Sequence, residues 1–310
     1  MPDMPRVLYH LQVHLLYASI VWCAAWILTS IRNASATTKY WIWVATALNF
    51  IVPTSGVIDK FGASHLAWAR PLGSIGDFAL NLSQGRIGVV LCVLWLLGAT
   101  VMFVRLSFRL WAERPESEAT AGKRVHGLNG NFPTHGVRVR FGTSEQAPAV
   151  EGVLRPQISL PRGIEQLLNE REINAVLIHE LTHARRRDNL IRLVYEAGLC
   201  LLWFHPLVWV TGSRLALYRE LSCDESVIQN AHGGDLVSAL AKLASPEGAP
   251  LLQASASSFI RNRLAQLTAG APRRYAVASA LLAVIFGIIL LGTVFATVSH
   301  TACCFLTRAS

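Results

Sequence analysis

Charged residues are scarce in this sequence. They make up 15% of its 310 residues, against roughly 25% in an average globular protein. Hydrophobic residues make up 52%, and the mean hydropathy is +0.39. A chain with so much apolar surface and so little charge is not disordered over most of its length. The composition is typical of a membrane protein with some soluble mass.

Cysteine is scarce as well, and glycine and proline follow no period. The six cysteines form no CxxC pair, so the sequence does not predict a zinc site made of cysteines. They are also too few for a disulfide scaffold. The lack of a glycine or proline repeat excludes collagen-like chains and repeat arrays. A membrane protein is the class that remains.

Four stretches are long enough and apolar enough to cross a bilayer, which takes about 20 residues. They cover residues 7–31, 40–58, 87–104 and 275–298. The first carries no formal charge, and its apolar run is longer than that of a cleaved signal peptide. We therefore expect it to be a retained helix.

Arginine and lysine are concentrated on one side of these predicted spans. The short first loop carries Arg32 and Lys39, and further basic residues cluster after the third span and before the fourth. Because basic residues favour the cytosolic side, we expect residues 105–274 in the cytosol and both termini outside. The formal charge of +9 is then explained by the basic residues that set the membrane topology. No helix-turn-helix or similar module is found, so no direct nucleic-acid partner is expected.

The predicted cytosolic segment begins with a polar linker at 112–124. Residues 137–160 contain short alternating runs broken by glycine and proline, which are typical of a small sheet. A helix is predicted to follow and to end near residue 187, because Asn169 is a good N-cap and Glu172 completes a capping box.

Three further helices are predicted beyond this one. The apolar stretch 190–211 is interrupted by charges and contains Pro206, so a core or interfacial helix fits it better than a span. A helix at 212–231 follows. A short basic helix at 259–270 is expected to lie against the membrane.

One motif on the first of these helices carries chemistry. It reads His179-Glu180-Leu181-Thr182-His183, which is HExxH. Histidines at i and i+4 share a helix face, so both imidazoles can reach one Zn²⁺. Glu180 lies beside them and can take the proton of an attacking water. The alternative is a solvated helix face that matches the motif by accident.

A catalytic zinc ion needs a third protein ligand and keeps one open position. Glu220 and Asp224 are also at i and i+4 on a predicted helix. We expect Glu220 to be the third ligand and Asp224 to accept the free ring N–H of a ligand histidine. The alternative is a surface acidic turn paired with Arg214 or Arg219.

With these residues the sequence resembles the BlaR/MecR-type membrane metallopeptidases, the family of the β-lactam-sensing antirepressors. The matching segments are ISLPRG at 158–163, NEREINAVLIHELTHARRRDNL at 169–190, WFHPLVW at 203–209 and RELSCDESV at 219–227. Three predicted spans ahead of the peptidase part and one behind it also look like that family. The likeness covers nearly the whole chain.

The resemblance implies an α-helical integral membrane protein with four spans and a cytosolic α+β gluzincin-type metallopeptidase domain in the bacterial plasma membrane. By this likeness His179, His183 and Glu220 bind zinc, Glu180 is the catalytic base and Asp224 supports a ligand. The expected organisation is a membrane domain at 1–111, the linker at 112–124, the zinc metallopeptidase domain at 125–273, and the fourth span with a short extracytoplasmic tail at 274–310.

One departure from the family bears on signalling. Its sensors carry a large extracellular penicillin-binding domain after the last span, whereas here only residues 300–310 follow the last predicted span. No SxxK motif with its partners is present, so direct acylation by a β-lactam is not expected. A signal would have to enter through residues 59–86, the spans or a partner protein.

The expected function is that of a zinc-dependent endopeptidase that cleaves a cytosolic protein, such as a DNA-binding repressor, or itself. Two alternatives stay open: a housekeeping protease that trims membrane-proximal proteins, and a non-enzymatic transducer with structural zinc. Membrane lipid is an expected partner. A homodimer is also left open by small residues that allow close helix packing, namely Gly85, Gly88, Gly98 and Ala99.

Other polar residues are expected to have structural roles. His205 is expected to be buried or interfacial, Tyr218 to pack, and Asp188 to pair with a neighbouring arginine or cap a helix. Three histidines in predicted loops have no partner at ligand spacing: His126, His135 and His232.

Overall fold

The computed structural model describes residues 4–31, 34–52, 86–112, 137–141, 147–243, 257–269 and 275–306. Within these ranges the chain is mostly helical, with one small sheet. In chain order the elements are α1 (Met4–Thr29), α2 (Ala36–Ile51), α3 (Arg86–Ala112), β1 (Arg138–Phe141), β2 (Ala149–Glu151), β3 (Gln157–Leu160), α4 (Ile164–Leu167), α5 (Glu170–Arg186), α6 (Asp188–Leu201), α7 (Pro206–Gln229), α8 (Gly233–Leu243), α9 (Ser257–Ala269) and α10 (Tyr275–Leu306).

Three helices in the described part of the chain are long and apolar enough to cross a membrane. The candidate spans are Leu11–Thr29 in α1, Gly88–Ala112 in α3 and Ala276–Phe295 in α10. They correspond to the first, third and fourth predicted spans. The chain is therefore a multi-pass membrane protein.

The remaining predicted span, 40–58, corresponds to α2. The described part of α2 has 16 residues, fewer than the about 20 that cross a bilayer. Residues 53–58 lie outside the described residues. The predicted linker at 112–124 does too, except for Ala112, which ends α3.

The last helix continues past the predicted span 275–298, because α10 ends at Leu306. The extracytoplasmic tail after residue 298 stays a prediction. Residues 299–306 contain no glycine or proline that would end a helix. The bounds of the domain predicted at 125–273 stay a prediction.

Helix α7 joins the helix that carries the HExxH motif to the membrane helices. Leu215 and Tyr218 of α7 lie in one buried cluster with Tyr40 and Trp43 of α2 and Phe286 of α10. At the N-terminal end of α2, the buried carboxylate of Glu225 accepts hydrogen bonds from the backbone N–H of Thr37 at 2.9 Å and from the hydroxyls of Thr37 and Ser35 at 2.8 and 3.0 Å. An anion at this position satisfies the free N–H groups of the first turn of α2.

The predicted sheet and the helix after it are confirmed. β3 lies in the centre, parallel to β1 and antiparallel to β2. Its buried side chains, Ile158 and Leu160, pack with the apolar face of α5. The capping box is present, with the Asn169 side chain accepting from the N–H of Glu172 at 3.0 Å. The carboxylate of Glu172 also accepts from Lys242 at 2.8 Å, which ties α5 to α8.

The prediction of one helix at 190–211 is wrong: this stretch is a helical hairpin. α6 ends at Leu201 and α7 begins at Pro206, because proline fits the first turn of a helix but not its interior. The indole of Trp95 in α3 donates to the carbonyl of Leu201 at 2.9 Å. A Cβ at Gly98 would lie 2.2 Å from Trp203. Since Trp95 and Gly98 belong to a candidate span, the hairpin tip lies at the depth of that span.

Candidate metal centre

The two histidines of the HExxH motif face each other on α5. Their Nε2 atoms are 3.2 Å apart, and His179 is only 5% exposed. Two nitrogen ligands of one tetrahedral zinc ion would lie roughly 3.3 Å apart, given zinc–nitrogen distances of about 2.05 Å. The spacing of the two rings therefore fits a shared zinc ion.

Glu220 reaches the same place from α7. Its Oε2 atom lies 3.5 Å from His179 Nε2, and its Oε1 atom lies 3.7 Å from His183 Nε2. Arg219 donates to Oε1 at 3.0 and 3.1 Å, so the alternative partner considered from the sequence is present as well. The structure brings together the three residues that the sequence singles out as ligands.

The electrostatics around Glu220 favour its ionised form. Burial alone would raise the pKa of this carboxyl, but the hydrogen bond with His179 and the positive charges of His183 and Arg219 hold the pKa well below its usual range. A third cation, Arg263, lies 3.6 Å from Oε2. A carboxylate facing two imidazoles is a donor set that zinc accepts.

Cys223, which the sequence reasoning did not single out, is a second candidate for the third position. Its Sγ atom and one nitrogen of each histidine all lie within 4.8 Å of one another. Burial raises the pKa of the Cys223 thiol well above its ordinary value, and Arg186 donates to Sγ at 3.0 Å. Because zinc binds the thiolate and not the thiol, Glu220 is the better donor in this environment.

Asp224 supports His179. Its Oδ1 atom lies 3.1 Å from His179 Nδ1, a distance suited to a hydrogen bond although the ring N–H is not well aligned. Arg263 of α9 donates to both oxygens of Asp224 at 2.8 Å. Burial would lower the pKa of His179, but the contacts with Asp224 and Glu220 outweigh it and raise the pKa to about 9.

Asp188 supports His183. Its Oδ2 atom lies 2.6 Å from His183 Nδ1 and accepts from Arg186 at 2.7 Å. Its Oδ1 atom accepts from the hydroxyl of Tyr40, in α2, at 2.8 Å. Asp188 follows directly on α5 because Arg187 is left-handed, with φ 56° and ψ 46°. The turn folds the carboxylate back against the helix it follows.

Glu180, the predicted base, is buried and 8% exposed. Its charge raises the pKa of Arg263 and the pKa of Cys223. Glu180 follows His179 directly in the sequence of α5, so it is carried by the same helix as the two histidines.

The other polar residues have structural contacts. His205 packs against Phe50, with ring centroids 5.1 Å apart. The hydroxyl of Tyr218 donates to the carbonyl of Thr29 at 3.3 Å, so this residue packs in the bundle as expected. His232 contacts Asn174 and Asp235. His126 and His135 lie outside the described residues.

Sequence reasoning missed several residues of this centre. Asp188 was predicted only to pair with an arginine or cap a helix, and its pairing with Arg186 is confirmed. Its contact with His183 depends on the left-handed turn, and Tyr40 is 148 positions away. Arg263 was predicted on a helix that lies against the membrane. That helix is present as α9, but its arginine binds Asp224.

An HExxH helix and a carboxylate-bearing second helix, packed among membrane-crossing helices, define a class: membrane-embedded metallopeptidases. The family described as BlaR1 peptidase M56 matches residues 9–267, and the chain belongs to this family. The resemblance read from the sequence is thereby confirmed.

Individual relatives agree with this assignment. The chain is 28% identical over 202 residues to the regulatory protein BlaR1 of Bacillus licheniformis, covering 59% of this chain and 31% of that protein. It is 20% identical over 176 residues to the methicillin resistance mecR1 proteins of Staphylococcus aureus and Staphylococcus epidermidis, covering 54% of this chain and 30% of each. The chain thus spans less than a third of the length of these relatives.

Proposed function

We propose that the chain is a membrane-bound zinc-dependent endopeptidase that cleaves a cytosolic protein, or itself, in signal transduction. A DNA-binding repressor is the substrate class that the likeness to antirepressors favours. The observation that carries the proposal is the convergence of His179, His183 and Glu220 from two helices, with the buried Glu180 beside them.

In this proposal the peptidase part faces the cytosol of a bacterium, both termini are outside, and α2 is the second of four spans. The contacts of Ser35 and Thr37 with Glu225 support this arrangement. They bring the basic loop after α1 to the same end of the bundle as the peptidase helix α7. The positive-inside pattern assigns that end to the cytosol.

The chain's own residues divide the work of hydrolysis. His179, His183 and Glu220 hold the ion, while Asp224 and Asp188 fix the orientation of the two rings. A bound zinc ion supplies a Lewis acid that polarises the scissile carbonyl and makes water more acidic. Glu180 takes a proton from the attacking water and passes it to the leaving amine.

The small sheet offers a binding mode for an extended peptide. A substrate can add to a sheet edge as a further strand. At the β2 edge, the carbonyls of Val150 and Gly152 already accept hydrogen bonds from the Asn189 side chain at 2.9 and 3.1 Å. A peptide that binds along β2 has to displace Asn189 from these carbonyls.

The base is tested with Glu180→Gln in the full chain purified in detergent. We expect self-cleavage and cleavage of labelled casein to fall by about 10²- to 10⁴-fold, with zinc content by mass spectrometry unchanged. Glu170→Gln, which changes an exposed carboxyl on the same helix, is the matched control. Cleavage by the Glu180→Gln protein at the control rate would refute the proposal.

The third ligand is tested by comparing Glu220→Gln with Cys223→Ser. We expect the first to lose zinc and the second to keep it, because the carboxyl is ionised and the thiol is not. Equilibrium dialysis against zinc measures both. The reverse result would assign the third position to Cys223 and would remove Glu220 from the centre.

A further inference from the structure

The carboxylate of Glu220 is bound asymmetrically by its neighbour Arg219. Both the Nε and the Nη2 atom of Arg219 donate to Oε1, at 3.1 and 3.0 Å. An arginine that binds a carboxylate frequently donates one hydrogen bond to each of the two oxygens. Here both hydrogen bonds end on the same oxygen, so the two oxygens of Glu220 have different surroundings.

The contact between Arg219 and Glu220 does not follow from helix geometry alone. Residues at i and i+1 do not face each other on a helix, yet these two residues are consecutive in α7. The Arg219 side chain therefore has to curl back toward Glu220. Arg219 lines a cavity of about 560 Å³ together with Asp188 and Tyr40, and its charge interacts with both of these residues. The cavity gives the arginine the room to take up this conformation.

The other oxygen of Glu220, Oε2, faces His179. It lies 3.5 Å from His179 Nε2, close to the roughly 3.4 Å expected between a nitrogen and an oxygen ligand of one tetrahedral zinc ion. Arg263 Nη1 lies 3.6 Å from Oε2, which is too far for a hydrogen bond. The Nε and Nη2 atoms of Arg263 bind Asp224 instead. Oε2 is thus the oxygen that is available to a metal ion.

Distances to the imidazole rings alone do not distinguish the two oxygens. Oε1 lies 3.7 Å from His183 Nε2, only slightly farther than Oε2 lies from His179. Without Arg219, both oxygens are therefore free to bind the same ion. A carboxylate that binds through both oxygens takes up a coordination position that a catalytic zinc site keeps open.

We propose that Arg219 is a positioning residue that keeps Glu220 a monodentate ligand. By holding Oε1, Arg219 leaves Oε2 alone to bind the ion and keeps the position of the attacking water free. This inference rests on the proposed function, because it takes Glu220 as the third zinc ligand. It concerns the number of atoms that bind the metal, which is measurable without any peptidase activity.

The test compares Arg219→Met with the unchanged full chain, both purified in detergent and loaded with cobalt. Four-coordinate cobalt absorbs visible light more strongly than five-coordinate cobalt, so the spectrum reports the coordination geometry. We expect a four-coordinate spectrum for the unchanged chain and a five-coordinate spectrum for Arg219→Met. Zinc affinity, measured by chelator competition, should be equal or higher in the variant, because Glu220 gains a bond to the ion. Cleavage of labelled casein should fall about 10- to 100-fold.

Two further variants separate the position of the carboxylate from a general loss of charge. Arg214→Met is the matched control, because Arg214 is another arginine of α7 and stacks over the ring of Trp26 at 3.9 Å. It should leave the cobalt spectrum and the zinc affinity unchanged. Arg219→Lys keeps a charged donor for Oε1 and should restore the four-coordinate spectrum that Arg219→Met loses.

A four-coordinate spectrum in Arg219→Met would overturn the proposal, and with weakened zinc binding it would leave Arg219 only a stabilising role. A five-coordinate spectrum in the unchanged chain would overturn it as well, and this result does not depend on the folding of any variant. The proposed function would fail differently, through an unchanged chain that binds four-coordinate cobalt but does not hydrolyse peptides when loaded with zinc.

Discussion

The two histidines of the candidate metal centre are supported from different parts of the molecule. His179 contacts Asp224 of α7, which Arg263 of α9 holds with two hydrogen bonds. His183 contacts Asp188, which Tyr40 of the membrane-bundle helix α2 holds with one. The two supports have the same chemistry, a buried carboxylate behind an imidazole. Within the described part of the chain, only the second of these carboxylates is hydrogen-bonded to a side chain of α2.

Because of this difference, a movement of α2 can reach the centre on the side of His183. A change at the Tyr40 side chain acts on the orientation of His183 through Asp188, a route that does not include the Asp224–Arg263 pair beside His179.

Arg263→Ala should have the largest effect on stability. It leaves the fully buried Asp224 with His179 as its remaining charged partner, and removal of one partner of a buried ion pair costs about 3–5 kcal/mol. Thermal unfolding of the detergent-solubilised chain measures this loss. Arg171→Ala, at an exposed position, is the control, and equal melting temperatures for the two variants would contradict the assigned role.

Asp224→Asn and Asp188→Asn should each weaken zinc binding by about 10- to 100-fold, as expected when the partner of a metal-binding histidine is lost. Competition with a chromogenic chelator measures the affinity of each variant. If the two supports are equivalent in chemistry, the losses should be similar. An unchanged affinity in either variant would mean that the corresponding carboxylate does not orient its histidine.

Tyr40→Phe should have a smaller effect and should act on the His183 side alone. It removes the hydrogen bond that the Tyr40 hydroxyl donates to the Asp188 carboxylate, which is worth about 1.5–3 kcal/mol. We expect only a part of this free energy to appear as a loss of metal affinity. We expect a few-fold loss of cobalt affinity and a changed visible spectrum of the cobalt-loaded protein. Tyr17→Phe is the matched control, because the buried hydroxyl of Tyr17 has no hydrogen-bond partner among the described residues. A cobalt spectrum identical to that of the control would mean that Tyr40 of α2 does not affect the geometry of the centre.

Arg187→Gly should have the smallest effect and the opposite sign. Arg187 adopts a left-handed conformation, which costs about 1–2 kcal/mol in a residue with a Cβ and nothing in glycine. Glycine also makes the unfolded chain more flexible, so we expect a net stabilisation of about 1 kcal/mol or less. Chemical unfolding measures it. A clear destabilisation would mean that the Arg187 side chain has a role beyond the turn.

The sequence predicted those parts of the centre that obey a local rule. HExxH and the pair Glu220 and Asp224 are recognisable because residues at i and i+4 share a helix face. The capping box at Asn169 and the long apolar runs are local in the same sense, and the structure has both.

Other parts depend on contacts that no local pattern encodes. Tyr40 reaches Asp188 only because α2 packs beside α7, and Arg263 reaches Asp224 because α9 crosses α7. The hairpin at Leu201 and Pro206 was read as one helix because the apolar run continues through the turn. The helix α10 extends beyond the predicted span 275–298, because hydropathy marks where a membrane ends and not where a helix ends.

The attachment of Glu225 to the first turn of α2 has a mechanical consequence. Glu225 and Glu220 lie on the same rigid helix, little more than one turn apart. If α2 slides or tilts while Ser35 and Thr37 stay bonded to Glu225, α7 moves with it. The Glu220 carboxylate then shifts relative to the imidazole rings of His179 and His183. Motion of α2 is thus converted into altered geometry at the centre by direct transmission, without any intervening flexible segment.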